Sequence, residues 1–405
     1  MSEVSALRIC RKITAALLAV VLTVTCLACP IPAAGEAVEA FTDYAAVGRQ
    51  ISESLADIVW QPDNERAYNH LAAKSGDSFL WSYGSLLEGL GARVTYDPDD
   101  ASAVAEYKKA LRNVLNYEAN NLYDKYGVEE ADYLALNCLP NNVNTEVFYD
   151  DDIWIQKEFL NAYNSLGNPE YLDLARRVMN YIYRGWDDKF DGGIYWKDTG
   201  YGGTSGKNTC INAPAAMASC KMYMATGEQR YLDWAIKIYN WMNEKLVDPE
   251  DHLLWDNIDY DSEGGVRIDK AKFTYNSGCY LSAAVLLYEI TGEEAYLTSA
   301  RATAASSLSR WLYQKEFPQL GETAYAWNSD HTWFNSSLVE GFLNLERVAG
   351  DKAGADAVRN SLAAACLLRG RPRPAGSRTT GRAANRSRSN RSACCNRRPR
   401  YAPSF

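Results

Sequence analysis

The chain has 405 residues, 47% hydrophobic and 23% charged, with 11 Trp, 27 Tyr and 10 Phe. That excludes a disordered protein and leaves room for two or three ordinary domains or one large helical barrel. The net charge of −9 is uneven: residues 369–405 hold eleven Arg and no acid, so the remainder carries −20. So acidic a body argues against nucleic acid as a partner, and its aromatic richness suits a sugar-binding cleft.

Taken in chain order, the first forty residues read as a secretory signal. Arg8, Arg11 and Lys12 precede an apolar run from Ile13 to Leu27, followed by Pro30, Pro32 and small residues, with cleavage expected after Ala34 or Ala40. The run is shorter than the about 20 residues a spanning helix needs. The expectation is an exported protein, secreted or at the cell surface, with no membrane span after cleavage.

Residues 41–366 repeat a helical unit. The pattern Gly, three residues, Tyr-Leu, two residues, Ala starts at Gly167, Gly227 and Gly292, placing Tyr171, Tyr231 and Tyr296 60 and 65 residues apart. A looser copy begins near Asp97. Each Gly ends one helix and an acidic turn opens the next. More apolar helices are predicted between these copies, near 79–94, 151–166, 211–226, 272–290 and 333–349. Loops rich in Gly, Asp and aromatics (186–209 and 247–271) lead into them and are natural binding faces. Strand signals are scarce, as at Gly193–Trp196. The class is all-α: outer helix, Gly turn and inner helix alternate as hairpins in a ring or solenoid. Six hairpins need twelve helices and the pattern supplies eleven, the last cut short near Leu368. From about Cys366 the periodicity collapses, so 367–405 reads as a disordered or aberrant Arg-rich tail.

Chemistry-bearing residues are few. Cys138, Cys210, Cys220, Cys279 and Cys366 have no paired short spacing and read as buried small hydrophobes. His70, His252 and His331 lack metal spacing, so no metal and no cofactor is expected. "GYGGTSGKN" (200–208) misplaces the first Gly of a phosphate loop and has Asn208 where Ser or Thr belongs. "DYDSEG" (259–264) opens like a calcium loop, but its twelfth position is Lys270, so it reads as a tight turn. The strongest signal is Tyr149-Asp150-Asp151-Asp152-Ile153-Trp154 at the start of an inner helix. Three consecutive carboxylates repel one another, which raises one pKa while a neighbour stays low. Such a pair is what glycoside hydrolysis needs. Helix capping by Asp is the competing account, and spacing alone leaves the two open.

The segment "VFYDDDIWIQKEFLNAY" (147–163) resembles glycoside hydrolase family 76, the endo-α-1,6-mannanases. The likeness continues through "DGGIYWK" (191–197), 207–246 and 269–292, and spans roughly residues 41–350. It implies an (α/α)6 barrel, although the family's last hairpin is not recognisable after Asp356. It further implies a retaining mechanism on α-mannan, with Asp150 as nucleophile and Asp151 as general acid/base. Asp152, where relatives carry Asn, reads as a cap or sugar contact. Trp154, Trp196 and Trp255 are candidates to stack on pyranose rings, with core packing as the alternative. Tyr275 and Asn276 are candidates to bind hydroxyls. Asn208 and Asn212 are further candidates, with capping as their rival, and Trp333 reads as a core residue near the cleft. A non-catalytic or degenerate glycan-binding relative, or another sugar-active enzyme on the same barrel, are the alternative functions.

Overall fold

The computed structural model describes residue 38 and residues 43–369, apart from 63–65, 72, 120–121, 123–126, 128, 130, 142–145, 202–205 and 330. The predicted signal segment, except Val38, and residues 370–405 of the predicted tail lie outside the described residues.

Eleven α-helices stand among the described residues: α1 (Tyr44–Val59), α2 (Leu80–Tyr96), α3 (Ala101–Asn113), α4 (Tyr149–Leu166), α5 (Pro169–Tyr183), α6 (Thr209–Thr226), α7 (Gln229–Lys245), α8 (Thr274–Thr291), α9 (Glu294–Trp311), α10 (Thr332–Ala349) and α11 (Ala353–Leu368). Short antiparallel strands join them: β1 (Tyr68–His70) with β2 (Ser75–Asp77), β3 (Lys207–Asn208) with β4 (Asn257–Tyr260) and β5 (Val266–Asp269), and β6 (Leu312–Phe317) with β7 (Glu322–Trp327). The expected strand at 193–196 is a single bridge between Trp186 and Ile194.

The five predicted inner helices are α2, α4, α6, α8 and α10. Of these, α6 and α8 are buried on almost every side along their first fourteen residues, as a helix enclosed by neighbours must be. The outer helices bury one face each; α5 buries Tyr171, Leu174, Ala175, Val178 and Ile182, at helical spacing. Caps fix where they start: Asn168 accepts the Glu170 N–H at 3.1 Å ahead of Pro169, and Asp100 accepts those of Ser102 and Ala103 at 3.1 Å. The repeat's glycines do the turning. Gly167, Gly227, Gly292 and Gly350 end α4, α6, α8 and α10 at φ 71–75°, the left-handed conformation that costs other residues strain.

Close approach shapes the ring between α8 and α10. A Cβ at Gly278 would sit 2.5 Å from the Ser337 carbonyl carbon and 2.6 Å from Leu338 Cα, so the two backbones touch there. On the other side α2 and α10 meet through Trp81 and Trp333, ring centroids 4.8 Å apart, and the Trp333 indole donates to Glu88 Oε2 at 2.7 Å. At mid-depth, Glu340 of α10 pairs with Lys221 of α6 and, at 3.8 Å, with Lys157 of α4. Those two ammonium groups hold the Glu340 carboxyl down at about 2 despite its burial.

The eleventh helix ends where the pattern places it: α11 runs to Leu368 and buries Ala357, Val358, Leu362, Ala363 and Leu367, although its small Ala residues give little family likeness after Asp356. The Tyr44 hydroxyl donates to the Arg359 carbonyl at 3.0 Å, so α1 and α11 are neighbours on the outside. Among the described residues, the hairpin that begins with α11 has no inner helix.

Candidate active site

All five inner helices begin at the same end of the ring, and their second residues converge. Trp81, Asp150, Cys210, Tyr275 and Trp333 hold that position in α2, α4, α6, α8 and α10. With Trp154, Phe334 and Ser337 they line one pocket open to solvent. Side chains of a first helical turn lean back toward the N-terminus, so each points out of its helix into the mouth.

The fourth residue of three of these helices has another task. Asp152 Oδ2 accepts the Leu136 N–H at 3.3 Å, Asn212 Oδ1 that of Ile194 at 2.8 Å, and Ser277 Oγ that of Leu254 at 3.2 Å. Each hooks a buried backbone donor of the loop before its helix, which would otherwise go unsatisfied. Two of these loops carry a second clamp. Asp187 accepts Lys207 Nζ at 2.5 Å and the Tyr195 hydroxyl at 2.8 Å; in the next copy Asp248 accepts Lys272 Nζ at 2.5 Å and the Trp255 indole at 3.0 Å. Lys207 is fully buried and also donates to the carbonyls of Asp187, Lys189 and Gly192 at 2.6–2.9 Å. The loop it ties has positive φ at Phe190, Asp191, Gly192 and Gly193, and Gly192 and Gly193 lie against the Trp241 ring where no Cβ fits.

The purpose of the clamped loop is visible at its end. Trp196 is held through its backbone by Gly206 and Tyr149, both at 3.0 Å, and its indole donates to Asp150 Oδ2 at 2.8 Å. Cys210 Sγ approaches the same oxygen at 3.5 Å. Asp150 and Asp151 are each 9% exposed and Asp152 is fully buried. Burial amid indoles and phenols penalises the charged forms, raising Asp150 to about 6; the donors Trp196 and Cys210 and the first-turn N–H groups stop it rising further. Asp151 is pushed well above the carboxylate range by burial and then by the charge of Asp150. Asp152 is pushed up too, by burial and then by Asp151. Of the two neighbours, Asp150 has the donors that favour its ionised form, whereas burial and the Asp150 charge both push Asp151 toward its protonated form.

The sequence profile of glycosyl hydrolase family 76 matches residues 44–365. The chain belongs to that family. A family 76 mannosidase of Bacteroides thetaiotaomicron superposes with a TM-score of 0.69 at 29% identity, over 77% of this chain and 84% of that one. An inactive variant of the Salegentibacter α-1,6-mannanase, with two aspartates replaced and α-1,6-mannotetrose bound, superposes at 0.59 and 27% identity, over 81% and 86%. The mannan endo-1,6-α-mannosidase DCW1 of Eremothecium gossypii is 23% identical over 294 residues, 69% of this chain and 60% of that protein; DCW1 of Saccharomyces cerevisiae is 28% identical over 187 residues, 43% and 39%. The chain thus spans about two fifths to three fifths of the length of these curated relatives.

In this family 76 chain the helix cap before the acid run is Phe148, with no side-chain cap, so none of the three aspartates caps α4. The structure brings Asp150, Trp154 and Tyr275 together at the pocket and hangs Trp196 above Asp150. It places others elsewhere. Asp152 is neither cap nor pocket residue but a loop hook. Asn212 is fully buried, its amide saturated by Ile194 and the Asn208 carbonyl. Asn208 occupies the cap position of α6 without a side-chain cap bond, and belongs to β3. Trp255 is the aromatic member of a clamp, with the Lys270 ammonium 4.8 Å from its ring centre. Asn276 is buried and donates to Asp256 Oδ1 at 3.3 Å.

Trp333, expected as a core residue near the cleft, lines the pocket itself, as do Trp81, Cys210 and Phe334, which the sequence did not mark as site residues. Nor did it mark Asp256: the repeat places it where the preceding copy has Trp196, and its charge reaches Cys210 and Tyr275. Aligning "KNTCIN" (207–212) with "KFTYNS" (272–277) was the available signal, because it pairs Cys210 with Tyr275 and Asn212 with Ser277.

Proposed function

We propose that this protein is an exported, retaining endo-α-1,6-mannosidase acting on mannan backbones. The observation that carries the reading is the unequal environment of two adjacent carboxyls at one helix start, the first of which lines the pocket: Asp150 is steadied as an anion by Trp196, while Asp151 is held toward its acid form by burial and by Asp150 itself. Pairs whose surroundings push their ionisation apart are acid/base assignments in waiting. Relatives named as mannan endo-1,6-α-mannosidases and a neighbour with bound α-1,6-mannotetrose support the substrate.

In the first step the Asp150 carboxylate bonds to the anomeric carbon as the glycosidic C–O bond breaks, and the leaving oxygen takes the Asp151 proton. In the second, Asp151, now ionised, removes a proton from water; the water oxygen bonds to the anomeric carbon and the ester to Asp150 breaks. Both charges cancel over the cycle and no cofactor enters. Trp81, Trp154 and Trp333 give the pocket flat apolar walls against which a pyranose ring packs.

The test is reducing-end release from linear α-1,6-mannan by protein freed of residues 1–40. Asp150→Asn and Asp151→Asn should each lower turnover by roughly two or more orders of magnitude with helical content unchanged. A fully active Asp150→Asn enzyme removes the nucleophile assignment; mannan binding without any release moves the reading to a glycan-binding relative.

A further inference from the structure

The position that puts Asp150 into the pocket from α4 puts Cys210 there from α6. Its sulfur lies 3.5 Å from Asp150 Oδ2, inside the range for a thiol donor, and on the oxygen that already takes the Trp196 indole at 2.8 Å. Burial and the carboxylates of Asp150 and Asp256 push the thiol well above its usual range, so the sulfur keeps its proton and meets the carboxylate as a donor. The other Asp150 oxygen is buried without a hydrogen-bond partner.

We infer that Cys210 is a positioning residue for the nucleophile: thiol and indole form a two-donor cradle that fixes Asp150 Oδ2, and with it the angle at which the carboxylate faces a sugar in the pocket. The inference rests on the retaining reading above. A small apolar filler is the plainer role for a buried cysteine, and it differs in what it leaves behind when the hydrogen bond is removed. The groups around Asp150 are Asp151 and Asp152 on its own helix, Cys210 from α6, Tyr275 from α8, and Trp196 and Asp256 from the loops. From α2 and α10 the pocket receives Trp81, Trp333, Phe334 and Ser337, which carry no charge. Of the side chains facing Asp150, Trp196 and Cys210 are the two that oppose the effect of burial on it.

Two measurements on the full enzyme test this. The first is the pH dependence of kcat/KM on linear α-1,6-mannan for wild type, Cys210→Ala and Cys210→Ser. Losing a donor to the ionised form disfavours that form, so Cys210→Ala should carry the acid limb upward by roughly half a pH unit, an about threefold loss below the limb relative to the plateau. Cys210→Ser, with a stronger O–H donor, should bring the limb back to the wild-type position or below. The second is the S–H stretching band of Cys210 in infrared difference spectra, assigned by its absence in Cys210→Ala. It should shift as Asp150 ionises and stay fixed in Asp150→Asn. A limb unmoved in both variants, or a band indifferent to pH in the wild type, overturns the inference whatever the enzyme's activity. If the wild type releases no reducing ends while its band still follows Asp150, the cradle stands and the hydrolytic reading falls.

Discussion

Replacing Trp196 by Phe tests the site most directly, because it removes one donor and keeps a ring. The indole N–H reaches Asp150 Oδ2 at 2.8 Å, and the ring also packs against Phe148, centroids 5.0 Å apart, a contact Phe can keep. A hydrogen bond to a charged group contributes about 1.5–3 kcal/mol. At 1.36 kcal/mol per unit that equals about one to two pKa units. Losing it leaves burial less opposed, so Asp150 should rise from about 6 toward roughly 7–8. In the proposed mechanism Asp150 attacks only as an anion, so activity should fall as pH drops through this pKa, and the acid limb of kcat/KM should move up by the same amount. Measured near pH 5.5, where wild type keeps about a quarter of its plateau, Trp196→Phe should fall about thirty- to three-hundredfold below its own plateau, roughly ten- to hundredfold more than wild type loses. The two carboxyls interact, so the limbs belong to the pair, but the direction is set by the missing donor. The assay is a pH–rate profile on α-1,6-mannan with circular dichroism at each pH. A variant whose limb stays at the wild-type position, with a uniformly lower rate, would refute the view that Trp196 acts through Asp150.

Three other perturbations address the scaffold. Lys207→Met strands three backbone carbonyls and breaks a pair whose lysine is fully buried, so urea unfolding should show a loss of about 3 kcal/mol. Unchanged stability would mean the loop does not depend on the clamp. Gly278→Ala forces a methyl into the α10 backbone, and overpacking of this kind costs about 1–3 kcal/mol or more; a melting temperature within a degree of wild type contradicts the contact. Asp152→Asn should stabilise the protein increasingly as pH rises above about 4. In the wild type the folded state keeps a proton on Asp152 that the unfolded chain gives up, so native stability declines across that range, and Asn removes the decline while still accepting the Leu136 N–H. A pH–stability curve parallel to wild type would show that Asp152 ionises in place.

How far the site was legible follows from which distances are local. Helix periodicity marked the inner helices and the Gly turns, because i, i+4 and the left-handed cap are decided within a few residues. Roles decided by loop closure were not legible. Asn212 and Ile194 are 18 residues apart, and Trp255 and Asp248 are 7. Both candidates carried the right chemistry for a sugar contact, but their hydrogen bonds go to backbone and carboxylate brought near by a fold the spacing does not specify. Trp81, Cys210 and Trp333 were missed for a related reason: periodicity says which stripe is buried, not which end of it looks into a pocket.

The acid run at 150–152 shows why the repeat is the better guide. Successive residues of a helix point about 100° apart, so three aspartates in one turn cannot share one environment. Asp150 holds the second position, which faces the mouth in every inner helix, and a donor from the following loop meets it there. Asp152 holds the fourth, which takes a loop N–H; Asn212 and Ser277 do the same work uncharged, so nothing in that position calls for a carboxylate. Between them, Asp151 occupies the third position, filled by Ile211 and Asn276 in the other copies. An acid there gains no clamp of its own and is pushed up by its neighbours, which is the condition for a group that must hold a proton until the leaving oxygen takes it. The second and third positions carry adjacent carboxyls in α4 alone among the five inner helices. Three of the five inner helices therefore hook their loops alike but differ in what they offer the pocket, and the proposed chemistry rests on one helix start.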